Sequence, residues 1–260
     1  MKKLLDLLVP SRCAACGARG EPCCARCQGV WGSAAEVVRT PTAGLVRVFA
    51  LARYRGVARR LLIAYKERGR RDLAPSLGRA LADALVVLPL KGVEAAGSSS
   101  VTSVVSPVEG AAAVAGSSRV VPAVSAEKGT APARAPVRAI CLVPAPSRRS
   151  AARVRGGPHV ERLANAAASV LAARGIEVAV APALELAGGA RDAVGLDRAE
   201  RMANLAGRLR FRQAGRPPPG YPLVVLDDVV TTGATAAACV RALAAEGFPV
   251  SAVLTLLAAG

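Results

Sequence analysis

An α/β protein built on a parallel sheet is the fold class this sequence predicts, on three observations. Leu223–Leu226 is a short unbroken apolar run, followed after a Thr- and Gly-containing turn by an Ala-rich helical segment that reaches Glu246. Strands covered on both faces read as continuous apolar runs of this kind. Ala139–Val143, His159–Arg174 and Ile176–Ala181 alternate strand, helix, strand, the pattern of parallel neighbours joined by right-handed crossovers. Size is the third: 260 residues with 52% apolar content can bury one sound core with a small appendage, or two modest ones.

The opening MKKLLDLLVP predicts a short amphipathic helix carrying Leu4, Leu5, Leu7 and Leu8 and stopped by Pro10. Its apolar part is too short for a secretory signal and is broken by Asp6, so a cytoplasmic location is expected. No run of eighteen or more apolar residues occurs, which argues against a membrane-spanning helix. Five of the seven cysteines then cluster as Cys13, Cys16, Cys23, Cys24 and Cys27. In a reducing compartment such clustering favours a metal over disulfides. Cys13 with Cys16, and Cys24 with Cys27, form two C-x-x-C pairs that supply the four thiolates of a tetrahedral Zn²⁺ site, and Gly17 permits the tight turn after the first. Cys23 is then spare, or it replaces Cys24 with changed geometry. Four protein ligands leave no open position, so the zinc is structural. Residues 1–40 are expected to form this zinc knuckle, and 41–260 the α/β domain.

From Val46 a short apolar strand leads into helical stretches in which Leu61, Leu62 and Tyr65, then Leu73, Leu77, Leu81 and Leu85, recur at spacings of three and four. Between Arg53 and Arg71 stand eight basic residues and one acid, Glu67, with Tyr54 and Tyr65 interleaved. That pattern is open to single-stranded nucleic acid, or to a solvated helix face. Residues 92–133 lose all periodicity and are rich in Ala, Ser, Val and Gly, which predicts a flexible insertion outside the core. After the strand ending at Val143, residues Pro144–Pro158 form a basic loop with Arg148, Arg149, Arg153 and Arg155. The helix from His159 has Val160, Leu163, Ala167 and Leu171 as its buried stripe, and His159 itself is open to a proton donor or acceptor role but reads more readily as a surface or capping residue. Asp192, Asp197, Arg198, Glu200 and Arg201 are candidates for a flap, or for a charged helix start. Cys141 and Cys239 read as core residues.

Asp227 and Asp228 are expected at the carboxyl end of the Leu223–Leu226 strand. Thr231, Thr232, Gly233, Ala234 and Thr235 follow, with small hydroxyl side chains and a flexible Gly. A turn feeding a helix N-terminus presents unpaired backbone N–H groups suited to phosphate. Carboxylates beside such a cradle suit a ligand carrying both hydroxyls and phosphate, and a phosphorylated ribose meets that demand. The excess of 35 Lys and Arg over 18 Asp and Glu, a formal charge of +17, favours phosphorylated or polyanionic partners.

The segment L-D-D-V-V-T-T-G-A-T resembles the phosphoribosyl diphosphate (PRPP) signature of type I phosphoribosyltransferases. The four-cysteine knuckle, the Y-R-G at Tyr54 and Y-K-E-R-G-R-R-D-L-A-P at Tyr65–Pro75 occur in order, followed by V-P-A-P with its basic loop, G-L-D-R-A-E-R-M-A-N at Gly195–Asn204, and the terminal signature. Together they are similar to the ComF family of phosphoribosyltransferase-like competence proteins, over nearly the whole chain apart from the insertion. That resemblance implies a type I phosphoribosyltransferase-like sheet flanked by helices. It also implies that Asp227 and Asp228 hold ribose hydroxyls as the catalytic acids, that Thr231–Thr235 wrap the 5′-phosphate, and that Arg148 and Arg149 approach the diphosphate with Mg²⁺. The implied partners are PRPP and, through DNA uptake and processing in natural competence, single-stranded DNA and the competence helicase machinery. Where members carry a G-F-N-Q type segment, this chain has Gly157, Pro158, His159 and Val160. A nucleobase salvage phosphoribosyltransferase releasing diphosphate from PRPP is the alternative.

Overall fold

The computed structural model describes residues 11–90, 139–147, 157–187 and 208–260. The amphipathic opening, the insertion 92–133, Arg148 and Arg149 with most of their loop, and the charged residues from Asp192 to Arg201 lie outside the described residues.

The structure is α/β, with a mostly parallel six-stranded sheet flanked by helices. In chain order the elements are β1 (Ala35–Glu36), β2 (Val48–Arg53), α1 (Gly56–Glu67), α2 (Ala74–Val87), β3 (Ala139–Pro144), α3 (His159–Ala172), β4 (Glu177–Val180), β5 (Leu184–Leu186), β6 (Leu209–Phe211), β7 (Leu223–Val230), α4 (Ala234–Ala245) and β8 (Val250–Ala258). The sheet order is β1-β2-β8-β7-β3-β4, and only β1 runs antiparallel to its neighbour. β5 and β6 pair separately as an antiparallel ribbon.

Strand alternation sorts the core into two layers. Phe49, Leu51, Ile140, Leu142, Val224, Leu226 and Leu254 face α1, α2 and α3, whose Leu61, Leu62, Leu77, Leu81, Leu85, Leu163 and Leu171 are essentially inaccessible to solvent. Val48, Ala50, Cys141, Val143, Val225 and Val253 face the other way, against Cys239, Val240 and Leu243 of α4. Each fully buried Leu contributes about 2 kcal/mol of transfer free energy. Helices α2 and α3 approach closely because Gly78 has no side chain: a Cβ there would lie 2.5 Å from the Cβ of Ala166. Cys141 and Cys239 are core residues, and burial pushes the Cys141 thiol up to about 12.

The cysteine segment packs onto the same core. Cys13, Cys23 and Cys27 join the cluster containing Leu61 and Leu77, Gly32 donates its N–H to the Leu51 carbonyl at 3.2 Å, and Arg70 reaches the Arg12 carbonyl at 2.9 Å. The strand carrying the two acids is longer than its apolar run suggests. Val229 and Val230 continue the ladder opposite Leu257 and Ala258, so Asp227 and Asp228 lie within β7 and not beyond it. Two β-branched residues after the acids suit that continuation.

Candidate functional site

Because β2, β3, β7 and β8 run parallel, their carboxyl ends meet at one edge of the sheet, the edge where open α/β sheets bind ligands. Tyr54 and Arg55 follow β2, Ala145–Ser147 follow β3, Thr231–Thr235 follow β7, and Ala259 follows β8. The turn after β7 is fixed on two counts. Gly233, the residue preceding α4, has φ +83°, a left-handed conformation that glycine adopts without strain, and a Cβ there would lie 2.9 Å from Arg39 Cβ. Arg39 ties the turn down, donating from Nε to the Thr231 carbonyl at 2.6 Å and from Nη2 to the Ala259 carbonyl at 2.7 Å. The Ala234 N–H points to Thr232 Oγ1 at 3.3 Å. The first turn of α4 opens toward this edge with the N–H groups that a helix start leaves without intrahelical partners.

The two acids differ in surroundings. Asp228 is 5% exposed and faces α1 and α3. Its Oδ2 receives Lys66 Nζ at 2.5 Å and meets His159 Nε2 at 2.8 Å. Burial pushes the Asp228 carboxyl up, but the His159 hydrogen bond and the Lys66 charge outweigh it and hold the group below the usual carboxylate range. Asp227 is only half-buried, and its Oδ1 folds back to accept the N–H of Asp228 at 2.8 Å. Burial, and then the Asp228 charge beside it, push the Asp227 carboxyl up to about 8. One acid is thus held as an anion by Lys66 and His159, and the other, its neighbour within β7, has its charge disfavoured.

His159 is not the surface or capping residue its position at a helix start suggests. It is 5% exposed, with Nε2 toward Asp228, Nδ1 toward Ser147 Oγ at 3.2 Å, and its carbonyl accepting the Tyr65 hydroxyl at 2.7 Å. A lone His beginning a helix has no periodic signature, and its partner is 69 residues away. Sequence reasoning also missed Lys66, counted within a basic run, and Ser147 and Arg39, which carry no motif. Of the basic run, Lys66 turns inward, Arg70 pairs with Asp72, and Arg59 lies over the Tyr54 ring at 5.6 Å. Arg53, Arg55, Arg59, Arg60 and Arg68 are exposed.

The cysteine group is the second site. The sulfurs of Cys13, Cys16, Cys24 and Cys27 lie within 4.8 Å of one another, and Cys16 and Cys24 Sγ are 3.6 Å apart. Tetrahedral Zn²⁺ with Zn–S of about 2.3 Å sets sulfurs about 3.8 Å apart, so these four could hold a metal such as zinc. Cys24, not Cys23, completes the set, because it is the Cys24 sulfur that lies within 4.8 Å of the other three. Local turns aim the ligands. The Gly17 N–H bonds the Cys13 carbonyl at 2.9 Å, and the Cys27 and Gln28 N–H groups both bond the Cys24 carbonyl at 2.9 Å. Burial opposes ionisation of Cys13, yet backbone N–H groups of Cys24, Cys16 and Ala15 directed at its sulfur bring it down to about 6, a thiolate ready for a cation.

No family model matches the chain, and none of the curated proteins matches it. Fold and sites therefore define a class: an α/β protein with a mostly parallel six-stranded sheet, a carboxylate-and-turn edge, and a four-cysteine group near its N-terminus. Among the described residues no helix is long and apolar enough to cross a membrane.

Proposed function

We propose that this chain is a PRPP-binding protein with a type I phosphoribosyltransferase-like fold, of the ComF kind, acting in the cytoplasm on the handling of single-stranded DNA. The observation that carries the reading is the β7–turn–α4 unit: adjacent Asp227 and Asp228 lead into a turn held in a left-handed Gly conformation at a helix start. In this reading the 5′-phosphate sits on the N–H groups and hydroxyls of Thr231–Thr235. Asp227 takes the ribose hydroxyls. Asp228, anchored by Lys66 and His159, fixes the strand end and supplies the negative field under the sugar. Mg²⁺ accompanies the diphosphate, since it binds chiefly through substrate oxygens. Charge preorganised on both sides of the anomeric carbon, not a covalent nucleophile, lowers the barrier to diphosphate departure. Zn²⁺ at Cys13, Cys16, Cys24 and Cys27 is structural. Exposed Arg53, Arg55, Arg59, Arg60 and Arg68 supply the contact for single-stranded DNA or its helicase machinery.

Calorimetric titration of PRPP with Mg²⁺ tests the reading. Saturable binding to the unmodified protein and at least tenfold weaker binding to Asp227→Asn, with an unchanged melting temperature, is the expected result. No binding to the unmodified protein removes it. Release of diphosphate that depends on an added nucleobase would instead make the protein a salvage transferase.

A further inference from the structure

Ser147, His159 and Asp228 form a hydrogen-bonded series whose first link, Ser147 to His159 Nδ1, has no part in the PRPP reading. We propose that Ser147 is an activated serine nucleophile, with His159 as its general base and Asp228 as the group that orients the base, acting on small apolar acyl esters that enter the cleft beside it. The argument rests on the ring of His159. Asp228 Oδ2 lies 2.8 Å from Nε2, and a carboxylate there requires Nε2 to carry the proton. In the neutral ring Nδ1 then keeps its lone pair, and the Ser147 hydroxyl 3.2 Å away is the donor. These are the roles of nucleophile, base and orienting acid, with the two ring nitrogens exchanged relative to the serine-protease arrangement.

The surroundings hold that geometry. Lys66 grips the same carboxylate oxygen at 2.5 Å, and the Tyr65 hydroxyl holds the His159 carbonyl at 2.7 Å. Ser147 follows Pro144-Ala145-Pro146 at the end of β3, where two proline rings restrict the backbone. It is part-buried and lines a cleft of about 290 Å³ together with Pro144, Pro158, Pro182, Leu184 and Arg212. Prolines and leucines make most of the lining and suit a short apolar acyl group, while Glu161, Glu185 and Arg212 also line it, Arg212 lying 3.9 Å from Glu185.

The reaction balances without any other group. The Ser147 Oγ proton passes to Nδ1 as Oγ bonds the acyl carbon, and the ester C–O bond breaks as the departing alkoxide takes that proton from Nδ1. Water then attacks the acyl-serine by the same path, releasing the carboxylic acid and restoring the hydroxyl. This activity does not require PRPP to bind, although Asp228 and its anchors His159 and Lys66 belong to both readings.

A fluorophosphonate probe tests it. Ser147 Oγ displaces fluoride from phosphorus, leaving a stable adduct that peptide mass spectrometry locates. In the unmodified protein the adduct is expected on Ser147, at no less than about a hundredfold the occupancy of exposed Ser33, the low end of general-base acceleration. Labelling should vanish in Ser147→Ala and slow by about the same factor in His159→Gln at an unchanged melting temperature. Should His159→Gln fail to fold, the ratio of Ser147 to Ser33 in the unmodified chain decides by itself. No adduct, an adduct that persists in Ser147→Ala, or Ser147 labelled no faster than Ser33 overturns the proposal.

Discussion

The cysteine group and the carboxylate edge are both built on short sequence motifs, yet they are held together in opposite ways. Cys13, Cys16, Cys24 and Cys27 span fifteen positions, and the turns that aim them are local, closed by bonds such as Gly17 N–H to Cys13 O. The carboxylate edge is assembled from afar: Asp228 is held by Lys66 of α1 and His159 of α3, and the turn after β7 by Arg39. A local site needs a cation to keep it closed, whereas a distributed site is kept by the fold. Metal removal should therefore act on the first and spare the geometry of the second.

The largest expected effect follows from that contrast. Purified protein should carry about one Zn²⁺ per chain, and a strong chelator should remove it, because structural thiolate sites derive their order from the metal. Since Cys13 and Cys27 share a core with Leu61 and Leu77, the melting temperature should fall by about 10 °C or more. Scanning calorimetry with metal analysis checks this, and an unchanged melting temperature on full metal loss would break the comparison. Next in size is Asp228→Ala, which leaves Lys66 and His159 without their buried partner and should cost about 3–5 kcal/mol. Urea denaturation measures it; a loss below about 1 kcal/mol would show the network to be ornamental.

These contrasts also explain what could be read in the sequence. The parallel sheet was legible because Ala139–Val143 and Leu223–Leu226 are unbroken apolar runs, and Leu163 and Leu171 fall where helical spacing puts them. The knuckle was legible because its spacing is its geometry, although only three-dimensional placement separates Cys24 from the spare Cys23. The network behind Asp228 was not, because Lys66, Ser147 and His159 are joined by tertiary packing that leaves no periodic trace. The β5–β6 ribbon escaped notice too, since Leu184–Leu186 and Leu209–Phe211 are three-residue strands too short for an alternation to register.

Two further effects sharpen the picture. Gly233→Ala puts a side chain at φ +83° and against Arg39, and should cost about 1–3 kcal/mol while loosening the turn. Equilibrium unfolding checks it, and a neutral result would remove the need for glycine there. A pH effect is expected at Asp227. Its folded value is raised to about 8 by burial and by Asp228, so its contribution is fully present below the unfolded value of about 4 and is lost as pH rises through 8. Over that window the unmodified protein should lose stability relative to Asp227→Asn. Melting curves at several pH values measure the difference, and a gap independent of pH would contradict the assignment.

The claim on which the account turns is that the β7–α4 turn seats the phosphate of PRPP. Amide shift mapping of the isotope-labelled protein during a PRPP and Mg²⁺ titration reads this at single residues. The account predicts saturable shifts centred on Gly233, Ala234 and Thr235, with a second set at Asp227 and Asp228. Saturable shifts confined to other parts of the chain, or none at all, would contradict it.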